Sequence, residues 1–147
     1  MNFLLDTMVV SEWVKQRPRP SVVAWLANAD EDRVFISVAT LAELRYGIER
    51  MAAGSRRKRL DDWLRSDLPG RFDDRVISID ALVAEHWGTV VARSEAAGRQ
   101  ISSMDAWIAA TALAHGMILV TRNTSDFEAV IAQMINPWRA AEEEGGN

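Results

Sequence analysis

The sequence contains no cysteine, which excludes disulfide bridges, thiolate nucleophiles and zinc sites built on thiolates. Long hydrophobic runs are also missing, since no apolar stretch approaches the ~20 residues that a membrane-spanning helix needs. The first residues reach an acid at Asp6 without a basic leader or a small-residue cleavage site, so residues 2–5 are predicted to form a strand and not a signal peptide. We therefore expect a cytoplasmic protein that does not enter a membrane.

Histidine is scarce as well, and acidic residues outnumber basic ones. The two histidines, His86 and His115, have no ligand partner at a useful spacing and are predicted to be structural. The net charge is −4, whereas proteins that bind nucleic acid through broad phosphate contacts are usually basic. Any attraction for nucleic acid must therefore be local. Arg45 and Arg122, which lie beside acidic motifs, are candidates for phosphate contact.

Hydrophobic residues make up 48% of the 147 positions, enough for one domain with a single core. Short β-branched or apolar runs at 2–5, 34–37, 75–79, 117–120 and 134–135 alternate with helical patterns at 7–15, 21–28, 41–51, 56–68, 83–98 and 104–115. This alternation predicts an α/β fold with three layers (α/β/α) and a central, mostly parallel sheet of four to five strands. We expect one domain over residues 1–138 and a flexible acidic tail over 139–147.

Acidic side chains stand at strand ends and helix starts. Asp6 ends the first strand, and Glu43 and Asp105 each lie in the predicted first turn of a helix. Asn123 and Asp126 follow the fourth strand. In open parallel sheets, sites are built beyond the carboxyl ends of the strands. These five residues are therefore candidates for one site.

Helix capping is the alternative explanation for each acid taken singly. Thr40 with Glu43, and Ser102 with Asp105, match the spacing of a capping box, and Asp6 could cap the helix that begins at Thr7.

Their joint placement favours a metal site. Several carboxylates brought together repel one another and raise each other's pKa. A hard divalent cation such as Mg²⁺ or Mn²⁺ removes this repulsion, because it prefers oxygen ligands. Such a site can activate water and hold phosphate oxygens.

At these residues the sequence resembles the PIN-domain ribonucleases that act as toxins of VapBC/FitAB-type toxin–antitoxin pairs. The resemblance covers nearly the whole chain, from residue 1 to about 138. It rests on segments 4–7 (LLDT), 41–47 (LAELRYG), 104–112 (MDAWIAATA), 121–127 (TRNTSDF) and 135–138 (INPW).

The resemblance implies a metal-dependent endoribonuclease with Asp6, Glu43 and Asp105 as metal ligands, and with Thr121 helping to place the attacking water. Hydrolysis would leave a 3′-hydroxyl and a 5′-phosphate. In that family a fourth acid often lies two residues after this threonine, where this chain has Asn123. Either Asp126 replaces that acid or three carboxylates hold the metal.

The resemblance also implies partners: an RNA substrate, a small antitoxin protein, and a second copy of the chain in a homodimer that can join a larger toxin–antitoxin complex. Two other functions stay open. One is a DNA-cutting or structure-specific nuclease on the same carboxylates, and the other is a non-catalytic RNA- or partner-binding module. The basic segment 56–59 (RRKR) is predicted to be a solvated helix face, with contact to RNA or antitoxin left open.

Overall fold

A computed structural model describes residues 1–139 of the chain. The strands are β1 (Phe3–Leu5), β2 (Val34–Ser37), β3 (Val76–Ile77), β4 (Ile118–Val120) and β5 (Met134–Ile135). They form one sheet in the order β3-β2-β1-β4-β5, and all four pairings are parallel. The predicted α/β fold with four to five strands is confirmed.

Helices connect these parallel strands. They are α1 (Thr7–Ser11), α2 (Pro20–Asn28), α3 (Val38–Glu49), α4 (Ser55–Asp62), α5 (Leu68–Phe72), α6 (Ala81–Ala96), α7 (Ser103–Ala114) and α8 (Thr124–Phe127). Short 3₁₀ turns cover Glu12–Val14, Glu31–Arg33 and Asp73–Arg75. Of the helices in the described part of the chain, none combines the length and apolar character that a membrane crossing requires.

Hydrophobic clusters cover both faces of the sheet. Adjacent side chains of a strand point to opposite faces, so Leu5 packs with Val10, Ile36 and other residues on one face, while Leu4 packs with Ile108 and its neighbours on the other. Because both faces are buried, the strands are continuous apolar runs. The polar residues that follow them are therefore left at the edge of the sheet.

Helix ends agree with the sequence at two glycines. Gly98 and Gly116 adopt left-handed φ values of 73° and 61° just after α6 and α7, a conformation that a residue without Cβ adopts at little cost. Asp80 caps α6: its Oδ1 accepts a hydrogen bond from the amide of Val83 at 3.0 Å.

Residues 56–68 are helical as predicted, but the predicted end of this helix is wrong. The helical run continues without a break from α4 through a π-helical segment (Trp63–Asp67) into α5. Pro69 lies inside this run, directly after the π-helical segment, where a proline cannot donate a backbone N–H to the preceding turn.

The predicted start of α3 is also wrong. Ser37, not Thr40, is the cap: its Oγ accepts a hydrogen bond from the amide of Ala39 at 3.0 Å. Glu43 is therefore in the second turn, away from the capping positions, so a capping box does not explain it. The predicted acidic tail lies outside the described residues, except for Arg139.

Candidate active site

Asp6 and Thr121 lie at the carboxyl ends of the neighbouring strands β1 and β4. The register pairs Leu5 with Val120, so the next residue of each strand reaches the same edge of the sheet. The Thr121 hydroxyl donates a hydrogen bond of 2.7 Å to Asp6 Oδ2, and both side chains are buried. A carboxylate that sequence reasoning left without a partner thus has one 115 positions away.

Thr7 links Asp6 to Glu43. Its amide donates to Asp6 Oδ1 at 2.8 Å, which is the predicted cap of α1, and its hydroxyl donates to Glu43 Oε1 at 2.7 Å. The hydroxyl also lies 3.2 Å from Thr40 Oγ1, which is buried. Sequence reasoning considered Thr40 only as a helix cap and assigned no role to the Thr7 side chain. The signal for Thr7 was its place directly after Asp6 in the LLDT segment.

Asp105 is half-buried in the first turn of α7, as predicted. Its amide donates to Ser102 Oγ at 3.1 Å, so Ser102 caps the helix. The reciprocal hydrogen bond of a capping box, from the Ser102 amide to the Asp105 carboxylate, is absent from the described residues. Capping therefore accounts for Ser102 but not for the Asp105 carboxylate.

The pKa values of the three carboxyls show that they share one electrostatic environment. Burial raises the pKa of Asp6, and the negative charge of Glu43 raises it further, so that the hydrogen bonds from Thr121 and Thr7 are outweighed. Burial likewise raises the pKa of Glu43, and repulsion from Asp105 adds to it.

Asp105 completes this set. Burial raises its pKa, followed by the charge of Asp6, against the lowering effect of Ser102. Asp6, Glu43 and Asp105 are therefore close enough to repel one another. The structure brings the three predicted residues to one region.

The two residues after β4 differ in what they contribute. Asp126 is exposed, and its charge raises the pKa of both Asp6 and Asp105. Asn123 faces other groups: its amide Nδ2 donates to Met8 Sδ at 3.3 Å and its backbone N–H donates to Thr121 Oγ1 at 3.1 Å.

The donor set suits a hard divalent cation. Each of the three side chains offers oxygen atoms, and the charges named as acting on the pKa values of Asp6, Glu43 and Asp105 are all those of other carboxylates. Within residues 1–139, however, no three acidic or histidine side chains already converge closely enough to form a group of metal ligands. Side-chain rotation would have to bring them together, and metal binding at these residues stays a prediction.

The two arginines expected near phosphate already have protein partners. Arg45 Nη1 lies 2.6 Å from Asp61 Oδ1 and 3.3 Å from Glu49 Oε1. The guanidinium of Arg122 lies 5.5 Å from the centre of the Trp138 ring. These contacts do not support a role for either arginine in phosphate binding.

Removing the Thr121 hydroxyl tests how firmly Asp6 is held. Thr121→Val keeps the side-chain shape but leaves Asp6 Oδ2 and the Asn123 amide without this partner, so we expect a loss of about 1–3 kcal/mol in the free energy of unfolding for each buried group left unpaired. Thr121→Ser retains the hydroxyl and loses one buried methyl, about 0.8 kcal/mol. Urea unfolding of both variants measures the difference. A serine variant no more stable than the valine variant would contradict this role.

The fold and the acidic edge together define an α/β protein with a carboxylate site at the ends of its central parallel strands. Residues 3–132 match the PIN domain family, and the chain belongs to that family. The predicted resemblance is confirmed.

Known proteins similar to the chain are named as a ribonuclease and as a toxin. VapC ribonuclease Y4jK of Sinorhizobium fredii is 37% identical over 94% of this chain and 99% of that protein. Toxin FitB of Neisseria gonorrhoeae is 34% identical over 92% of this chain and 97% of its own length. The solved structure of FitAB bound to an IR36 DNA fragment superposes with a TM-score of 0.87 at 33% identity, covering 92% of this chain and 95% of the matched one.

Proposed function

We propose that this chain is an endoribonuclease and the toxin of a toxin–antitoxin pair. The observation that carries the proposal is the set of mutually repelling carboxylates, Asp6, Glu43 and Asp105, at the carboxyl edge of the sheet. Relatives named as a ribonuclease and as a toxin support the choice of RNA and of the toxin role.

In this proposal Asp6, Glu43 and Asp105 hold Mg²⁺, with Mn²⁺ as a substitute. The metal supplies a Lewis acid for a phosphate oxygen and lowers the pKa of bound water. Asp6 is held by Thr121 and Thr7 through both of its oxygens, and Glu43 is held by Thr7, so in this proposal the rotation that closes the metal site falls mainly on Asp105.

We assign Thr121 a positioning role. Its hydroxyl donates a hydrogen bond to Asp6, and the hydroxyl oxygen accepts one from the backbone N–H of Asn123. The threonine itself has no solvent exposure. The threonine therefore acts through Asp6. For the fourth ligand we favour Asp126 over Asn123. The charge of Asp126 raises the pKa of Asp6 and of Asp105, whereas the side-chain amide of Asn123 contacts Met8.

The proposal includes protein partners. The structure of FitAB bound to a DNA fragment contains a chain that is similar to this one. This similarity supports the proposal that an antitoxin protein binds this chain. Homodimer formation is proposed on the family resemblance, and the mass of the purified chain in solution by light scattering tests it.

Metal removal and substrate choice provide the test. With Mg²⁺ the purified chain is expected to cut single-stranded RNA, leaving a 5′-phosphate and a 3′-hydroxyl, and to leave DNA of the same base sequence intact. With EDTA, cleavage is expected to stop, because the carboxylates alone repel and cannot bind a phosphate. Gel analysis of end-labelled RNA and DNA measures both. Equal cleavage of DNA would favour the alternative of a DNA-cutting nuclease, and cleavage in EDTA would contradict a metal site.

A further inference from the structure

A cavity of about 240 Å³ beside the candidate site is lined by three cationic side chains. Its walls are Val14, Lys15, Gln16, Arg56, Arg59 and Leu60. We call it the basic cavity. Its basic residues come from two separate parts of the chain: Lys15 follows the 3₁₀ turn after α1, and the arginines belong to α4.

The arginines of the basic cavity differ in their pairing from the rest of the basic segment. Arg56 and Arg59 are three positions apart and share one face of α4, and neither forms a salt bridge within residues 1–139. Arg57 pairs with Glu49 at 3.0 Å, and Lys58 lines a different cavity with it. The face toward Lys15 thus holds positive charge that the described protein does not neutralise.

Lys15 is held in place by a buried acid. Its Nζ lies 2.6 Å from Oε1 of Glu12, whose side chain is 2% exposed. Glu12 Oε2 also accepts from the amide of Arg19 at 2.8 Å. This fixes the lysine stem at the wall of the cavity.

The basic cavity adjoins a groove that reaches the carboxylate site. This groove, of about 280 Å³, shares the wall residues Val14, Lys15, Arg56 and Leu60 with the cavity. Thr7 and Glu43 also line the groove. A strand that lay along the groove and the cavity would therefore run from Glu43 to the unpaired arginines, and we call this course the path.

We propose that the basic cavity binds a backbone phosphate of single-stranded RNA that flanks the phosphate to be cut, through Arg56 and Arg59. This proposal rests on the proposed ribonuclease function. A polyanion fits because its phosphates repeat along the strand, so one can lie at the carboxylates while another reaches the arginines. It also explains how a chain of net charge −4 attracts RNA: the attraction is local to this path.

RNA binding without cleavage tests the basic cavity. The probe is a fluorescein-labelled single-stranded oligoribonucleotide of about 12 residues, bound in EDTA and followed by anisotropy at salt concentrations from roughly 50 to 200 mM. Each phosphate contact on a single strand contributes about 0.7 to the slope of log affinity against log salt. Because both arginines contact one phosphate, the double variant Arg56→Ala/Arg59→Ala is expected to lose about 0.7 of that slope and to bind on the order of tenfold more weakly at the lowest salt.

Lys58→Ala is the matched control, since it removes a positive charge from the same helix outside the basic cavity. It is expected to keep the wild-type slope. A double variant with the wild-type slope, or a Lys58 variant that loses as much slope as the double variant, would overturn the proposal. So would a double variant that loses affinity only for the purified antitoxin, because the cavity would then bind protein.

The two proposals can fail separately. A wild-type chain that binds the oligoribonucleotide with the expected arginine-dependent slope, but does not cut it with Mg²⁺, would overturn the ribonuclease function and support the basic cavity. A chain that cuts RNA equally well in wild-type and double-variant form, with equal Michaelis constants, would overturn the basic cavity and support the ribonuclease. Circular dichroism of each variant confirms folding.

Discussion

Replacing Asp105 with asparagine is expected to lower RNA cleavage by more than about 100-fold while the chain stays folded. Loss of a group that only orients a metal ligand typically costs 10–100-fold, and loss of a ligand should exceed that. Asparagine has nearly the size of aspartate but no charge, so it cannot replace an anionic ligand of Mg²⁺.

Stability should change little in this variant, because two effects oppose each other. Loss of a negative charge in the first turn of α7 removes about 0.3–1 kcal/mol of favourable interaction with the helix dipole. Loss of the same charge also removes the cost of burying it and its repulsion from Asp6. Both effects raise the pKa of Asp105 and disfavour the ionised form. The cap itself is untouched, since Ser102 provides it. We expect a net change within about 1 kcal/mol.

Asp80→Asn is the matched control. It is the same substitution at the start of α6, where Asp80 is an exposed cap and lies outside the carboxylate set. Steady-state cleavage of labelled RNA and urea unfolding compare the two variants. If Asp105→Asn cuts RNA as fast as Asp80→Asn, the carboxylate is not a ligand and the binding-module alternative gains support.

Magnesium is expected to stabilise the fold at neutral pH and to lose this effect in acid. A ligand at 100 times its dissociation constant adds about 2.7 kcal/mol to the free energy of unfolding. In acid the carboxyls of Asp6, Glu43 and Asp105 are protonated and cannot bind the ion. Urea unfolding at several pH values, with Mg²⁺ or with NaCl of equal ionic strength, measures the effect. Equal stabilisation by Mg²⁺ in wild type and in Asp105→Asn would contradict binding at these carboxylates.

The pH dependence without metal has a definite sign. The pKa values of Asp6, Glu43 and Asp105 are raised in the folded chain, so that state binds more protons than the unfolded chain at pH values above their ordinary range. The stability that protonation provides is complete below the ordinary pKa values of 3.8 to 4.5 and is lost as the pH rises through the raised ones.

Two carboxyls, Glu12 and Asp61, behave in the opposite way, but only at lower pH. The pKa of Asp61 is lowered by hydrogen bonds from Arg45 and Arg65. Burial raises the pKa of Glu12, but its contacts with Lys15, the hydrogen bond from the Arg19 amide and the charge of Arg122 together outweigh burial and leave it below the ordinary value. Both are present in wild type and in Asp6→Asn, so their contribution cancels when the two proteins are compared. In EDTA, the stability of Asp6→Asn relative to wild type is therefore expected to increase as the pH rises from about 5 to 7.

The sheet could be read from the sequence because its strands are short apolar runs between polar ends. Val34–Ser37 and Met134–Ile135 were predicted with the bounds that the structure shows. The start of a helix was harder to predict where two hydroxyl residues could each serve as its cap. Ser37 and Thr40 both have capping chemistry, and the choice depends on where β2 ends. Pro69 misled the prediction of the helix end, because a proline can lie within a helical run when a π-helical segment precedes it.

The site could be predicted only in part. Asp6, Glu43 and Asp105 were identified by their positions at strand ends and helix starts, which the chain order reveals. The hydrogen bonds that hold them were not, because Thr121 to Asp6 and Thr7 to Glu43 join residues 115 and 36 positions apart. Local spacing carries no signal for such contacts. The path to Arg56 and Arg59 was hidden for the same reason.

The edge strand β5 ties the end of the chain to its beginning. The Thr121 amide donates to the carbonyl of Ile135 at 2.9 Å, and the Thr121 hydroxyl in turn holds Asp6. During synthesis on the ribosome, Asp6 emerges first and must wait for about 130 further residues before this support exists. Without Ile135, Thr121 would lose the backbone partner that fixes its position, and Asp6 would be left with a less firmly held donor.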